Sequence, residues 1–217
     1  MPARVDSGSV SASPVRIPRQ LVVFLLILIV FSLGNSADAF LLLRLTDALG
    51  SATYIPLLWA AIHVVKASLS TWGGELSDRY GRKPIIVLSW VIYAAVYLGF
   101  SMATSATAFI TWFLVYGLYF ALGEGAEKAL VADFTPASRS GTAFGYYNAA
   151  LGVGALVASV LFGVLYDRFG AVTAFRTGAA LAGLASLLLL VLVRTPSTPP
   201  SPDNIVGSDA SDSGHQR

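Results

Sequence analysis

The sequence predicts an all-α membrane protein of six transmembrane helices, arranged as two inverted three-helix repeats. Three observations carry that expectation. The 217 residues are 55% hydrophobic and 12% charged, with a mean hydropathy of +0.70, whereas soluble domains are nearer a quarter charged. The apolar residues gather into six long blocks. One charged motif recurs at a fixed distance along the chain.

The blocks cover about 20–43, 54–76, 84–103, 107–132, 142–165 and 171–193. A hydrocarbon core about 30 Å thick is crossed by about 20 apolar helical residues, and each block reaches that length. The first begins LVVFLLILIVF and follows some twenty more polar residues, without a convincing cleavage site. It therefore reads as a retained span and not as a secretory leader. Residues 1–19 and 194–217 lack the apolar content that offsets ordering entropy, and are expected to be disordered tails around a transmembrane domain at 20–193.

Six spans put both tails on one side. That side also receives 77–83 and 133–141, and holds Arg4, Arg16, Arg19, Arg79, Arg82, Lys83, Arg139, Arg194 and Arg217. The opposite side holds Arg44, Arg168 and Arg176. This excess of positive charge predicts that both termini are cytoplasmic in a cell membrane, inner or plasma.

Several function classes drop out. There is no cysteine, and the two histidines, His63 and His215, do not make a multi-histidine metal site. The net charge of +2 is too small, and too little clustered, to suggest nucleic acid. The chain has no phosphate-binding P-loop and no HExxH, so no cofactor and no enzymatic activity are expected.

The repeated motif is GELSDRYG, Gly74 to Gly81, which returns as GVLYDRFG, Gly163 to Gly170, 89 residues later. The same offset aligns LGNSAD, Leu33 to Asp38, with LGEGAE, Leu122 to Glu127. The repeat unit is thus three spans, about 20–103 and 107–193. An odd number inserts the second copy upside down, and inverted repeats are a recurring construction of secondary transporters. The first motif copy sits in a charged stretch, GGELSDRYGRKP, that reads as a cytoplasmic loop. The second lacks the Arg-Lys extension.

GGELSDRYGRKP resembles the signature loop of the major facilitator superfamily, with Gly74, Leu76, Asp78, Arg79, Gly81, Arg82 and Lys83 in place. FTPASRSGTAFGYYN, from Phe134, is similar to a cytoplasmic loop of that family. LGNSADAFLLLRLTDALG, from Leu33, is similar to its seventh helix and following turn. The resemblance is to the carboxyl-terminal six-helix half of a twelve-helix fold. It implies a proton-coupled, alternating-access transporter of a small solute, or half of one. The partners implied are the bilayer, the solute, protons, and a second six-helix half or a homodimer mate. An inactive or scaffolding unit awaiting a partner half is the alternative. The resemblance further implies that Gly74, Asp78, Arg79, Gly81, Arg82 and Lys83 form a conformational latch, and that the first and fourth spans line the cavity.

Charge inside a bilayer is costly, by about 2.5–3.5 kcal/mol per residue on insertion scales, so intramembrane polar groups are the candidate site residues. They are Asn35 and Asp38 in the first span, His63 and Lys66 in the second, and Glu124, Glu127 and Lys128 in the fourth. Asp38 and Glu127 hold equivalent repeat positions and are candidates for proton coupling or substrate contact. Glu124 and Lys128 are four apart and read equally well as a pair neutralising one helix face. His63 reads either as a proton or substrate group or as a hydrogen-bonded packing residue. Ala150, Gly154 and Ala158 form a small-residue ridge expected to pack another helix closely.

Overall fold

The computed structural model describes residues 17–35 and 37–194. Ser36, His215 and most of the two expected tails lie outside the described residues. Among the described residues every regular element is helical: α1 (Arg19–Gly34), α2 (Asp38–Leu49), α3 (Ile55–Tyr80), α4 (Arg82–Met102), α5 (Ala106–Asp133) and α6 (Ser140–Leu192), with a 3-10 turn at Ala137–Arg139 before α6. Among the described residues, four stretches are long and apolar enough to cross a membrane: Arg19–Leu49, Arg82–Met102, Ala106–Asp133 and Ala137–Leu192. α3 has the length, with 26 residues, but Lys66, Glu75, Asp78 and Arg79 lower its apolar character.

α6 is a hairpin and not one rod. A straight helix rises about 1.5 Å per residue, which would set Phe162 and Phe175 about 20 Å apart. Their ring centroids are 5.2 Å apart instead. The fold-back occurs at Gly170, whose φ of 83° and ψ of 164° fall in a region essentially closed to side-chain-bearing residues. The arms are 140–169 and 171–192. Gly81, between α3 and α4, has nearly the same backbone, φ 93° and ψ 153°. The sequence repeat is therefore also a repeat of conformation, at an offset of 89 residues.

Two expectations need correcting. The segment 77–83 is not a loop: α3 continues to Tyr80 and α4 starts at Arg82, leaving Gly81 alone as the hinge. The first block is not one uninterrupted helix either. α1 ends at Gly34, and α2 starts at Asp38 and runs to Leu49, six residues past the expected end. Gly34 and Asn35 are weak helix formers, and Ala37 takes an extended ψ of 138°. The carbonyl of Gly34, freed by the break, accepts a hydrogen bond from the Tyr93 hydroxyl at 3.0 Å. At the tail boundaries, Ile17 packs against the core and Arg19 already opens α1.

The core lies where α1, α4, α5 and both arms of α6 meet. It is an aromatic stack, with Phe31 parallel to Trp90 at 4.3 Å and Tyr93 against Tyr97 at 4.2 Å. Ala150, Gly154 and Ala158 are all buried, and a Cβ added at Gly154 would collide with Ser32 of α1, so the small-residue ridge packs as expected. Gly34 and Gly178 are in similarly close approach between α1 and the second arm of α6. Outer surfaces remain apolar, as lipid-facing helices require: Leu57 and Val64 on α3, Leu156 and Val160 on α6, and Leu187 and Val191 near the chain's last helical turns are exposed.

Candidate functional site

The break between α1 and α2 places Asp38 in the first turn of α2, where a carboxylate faces the free N–H groups of a helix amino terminus. Its Oδ1 accepts a hydrogen bond from the Tyr116 hydroxyl of α5 at 2.7 Å. Asp38 makes no ion pair within 4.0 Å among the described residues. It lines a pocket of about 170 Å³ together with Trp59, Ile62, His63 and Lys66 of α3 and Phe120 of α5. Asn35, at the break itself, donates to the Tyr119 hydroxyl at 3.3 Å.

The far wall of the pocket is basic. Lys66 Nζ is 2.6 Å from Glu124 Oε2 and lies 5.0 Å from the centre of the Phe120 ring. Lys128 Nζ is 2.8 Å from Glu124 Oε1. The pairing of Glu124 with Lys128 is present, and Lys66 shares the same carboxylate. His63 Nδ1 is 2.9 Å from the carbonyl of Trp59. Since a carbonyl can only accept, Nδ1 carries a proton in this hydrogen bond. Both expected roles of His63 are thus compatible with its position: it is hydrogen-bonded, and it lines the pocket.

Glu127 sits differently from its repeat partner. It is only 5% exposed and lines no part of this pocket. Trp90 Nε1–H of α4 donates to its Oε1 at 2.8 Å, and the Tyr147 hydroxyl of α6 donates to Oε2 at 2.9 Å. Both oxygens are satisfied, and three helices are joined through one carboxylate.

The charged motif closes the opposite end of the unit. Arg82 pairs with Asp78 across Gly81, donates to Ser77 Oγ at 3.4 Å, and places its Nε 3.6 Å from Asp133 at the end of α5. Lys83 donates to the carbonyl of Val193 at 2.7 Å, at the end of α6. Arg79 lies over the Tyr80 ring, and Gly74 has open space around it. Asp78 therefore serves the amino terminus of α4 through Arg82, and the basic residues tie together the ends of α3, α4, α5 and α6.

The structure brings together Asp38, His63 and Lys66 at one pocket, with Glu124 and Lys128 behind Lys66. It does not bring Glu127 there. Sequence reasoning missed Trp59 and Phe120, and placed Tyr116 only between core and cavity, because aromatic residues are so common in these helices that none stands out. Trp90 and Tyr147 were missed as partners of Glu127 for the same reason. The usable signal was the burial cost of Glu127, which demands donors on neighbouring helices.

The sequence profile described as Major Facilitator Superfamily matches residues 21–212. The chain is 33% identical over 178 residues to an uncharacterized MFS-type transporter of Methanocaldococcus jannaschii, a match covering 79% of this chain and 44% of that protein. It is 38% identical over 114 residues to the class H tetracycline resistance protein of Pasteurella multocida, covering 51% of this chain and 26% of that one. Among solved structures, a peptide transporter superposes with a TM-score of 0.64 at 14% identity, over 89% of this chain and 43% of that chain. The chain spans less than half the length of these relatives.

Proposed function

Since the chain belongs to the major facilitator superfamily, and is accordingly a multi-pass membrane protein and not an enzyme, we propose that it is a secondary transporter, or one six-helix unit of one, moving a small solute by alternating access. In this reading the helical arms form six spans: α1 with α2, α3, α4, α5 and the two arms of α6. They make two inverted three-helix repeats with both ends cytoplasmic in the cell membrane. Inversion lets the two repeats exchange conformations and open the site to each side in turn. Proton coupling runs through Asp38, the carboxylate that is polar, intramembrane and open to a cavity. Residues 77–83 act as the conformational latch, holding four helix ends together on the cytoplasmic side.

One observation supports this reading most. The pocket holding Asp38, His63 and Lys66 lies at the middle of otherwise apolar helices, where charge is retained only for pairing or for a solute pathway. Reconstitution in liposomes tests it. An imposed pH gradient drives solute uptake, and Asp38→Asn abolishes the coupling while leaving the fold intact. Coupled uptake that survives in Asp38→Asn removes this carboxylate from the mechanism.

A non-transporting unit that awaits a second six-helix half, or a second copy of itself, is favoured by a different observation. α3 and α5, which pack together, expose the polar His63 and Lys128, so this surface is less purely apolar than a lipid-facing one. In that case the chain alone moves no solute, and adding the partner unit restores movement.

A further inference from the structure

Two groups of opposite charge, Asp38 and Lys66, line the same pocket without pairing directly to each other. Glu124 is shared by two ammonium groups, Lys66 and Lys128, so that cluster carries one surplus positive charge, and Lys66 presents it to the pocket. Asp38 carries the negative charge. Its sole side-chain partner among the described residues is the neutral Tyr116 hydroxyl. The two charges belong to different helices, α2 and α3, and no direct pair forms between them. A pair serving neutralisation alone would close. The intervening space, about 170 Å³, corresponds to the volume of about six liquid waters. Its walls between the charges are Trp59, Ile62 and Phe120, which offer two aromatic rings and an aliphatic side chain.

We infer that this pocket binds a small zwitterion with an apolar side group: its ammonium on Asp38, its carboxylate on Lys66, and its side group against Trp59, Ile62 and Phe120. The inference deepens the transport reading and rests on it for its biological meaning. A plain organic cation would meet the surplus charge of Lys66, and a plain anion would meet the carboxylate of Asp38. Only a molecule carrying both charges matches both ends. Trp59 and Phe120 supply the aromatic faces that favour the cationic end.

Three soluble probes separate the two charges: leucine, 4-methylpentanoate, which lacks the amino group, and 3-methylbutylamine, which lacks the carboxylate. Their binding to the full chain in lipid nanodiscs is measured by calorimetry. Leucine binds about tenfold or more tightly than either analogue, the weight of one charge-assisted hydrogen bond. Asp38→Asn, which keeps an acceptor for Tyr116, reduces leucine to the level of the acid analogue. Lys66→Gln, which leaves Glu124 paired to Lys128, reduces it to the level of the amine. Equal affinity for all three probes, or no leucine binding by the folded chain, overturns the inference. So does a leucine preference unchanged in both variants. Should either variant fail to fold, the three probes on the unsubstituted chain still decide. Flux in liposomes distinguishes the two readings. Zwitterion-selective binding without flux removes the transport reading and leaves this site standing, whereas flux of other solutes with no preference for leucine does the reverse.

Discussion

Asp38 and Glu127 stand 89 residues apart at equivalent points of one repeated pattern, LGNSAD and LGEGAE, and the fold has taken them in opposite directions. In the first copy the helix breaks after Gly34, and the acid starts a new helix at the rim of a pocket. In the second copy the helix runs on through Glu124 and Gly125, and the acid is carried into the core between Trp90 and Tyr147. Local helix propensity does not account for the difference, since the continuous copy carries Gly125 where the broken one carries Ser36. The same duplicated carboxylate thus becomes a group lining a pocket in one copy and a fastening between helices in the other.

This contrast can be broken by substitution, and the largest effect is expected at Glu127. Glu127→Ala leaves two buried donors without an acceptor and costs about 3 kcal/mol of stability, while Glu127→Gln restores an acceptor and recovers most of it. Thermal unfolding in detergent reads both. An equal loss in Gln and Ala would mean that charge, and not hydrogen bonding, holds the three helices. Next come the hinges: Gly81→Ala and Gly170→Ala each cost about 2 kcal/mol, because both force a side chain into backbone conformations reserved for glycine. A large difference between the two melting temperatures would show that the hinges are equivalent in shape alone.

Smaller effects follow. Asp38→Ala removes one hydrogen bond at a partly open site and lowers stability by about 1 kcal/mol, well below Glu127→Ala. If the two acids prove equally costly, the division between ligand-facing and fastening roles fails. Asp78→Asn, at an exposed pair with Arg82, changes stability by about 0.5 kcal/mol or less. Any marked fall in transport rate by that variant is then a matter of conformational exchange and not of folding.

The helical class, most of the long apolar stretches and the duplicated motif were legible in the sequence, because block length and glycine placement are local signals. The hinge at Gly81 was legible as a special site, but its shape was not. Asp78 and Arg82 look like loop charges in sequence, and become helix-end partners only once α3 and α4 are seen to abut. The break at 35–37 was hidden by the surrounding hydrophobicity, which marks membrane depth and says little about helix continuity. At the site, Asp38, His63 and Lys66 announce themselves by cost, since charge in apolar helices needs a reason. Tyr116 and Phe120 do not, because a tyrosine or phenylalanine in such a helix is unremarkable until its neighbours are known. The separate fates of Asp38 and Glu127 depend on which helices face each, and that is tertiary information.

The interruption between α1 and α2 bears on how the chain enters a bilayer during synthesis. α1 has 16 residues and α2 has 12, so at about 1.5 Å per residue they reach about 24 Å and 18 Å, each short of a hydrocarbon core of about 30 Å. Neither half can complete a crossing by itself. A crossing here needs both helices, and Asp38 is synthesised before its neighbours Tyr116 and Lys66. It gains its tyrosine partner only once α5 has been made.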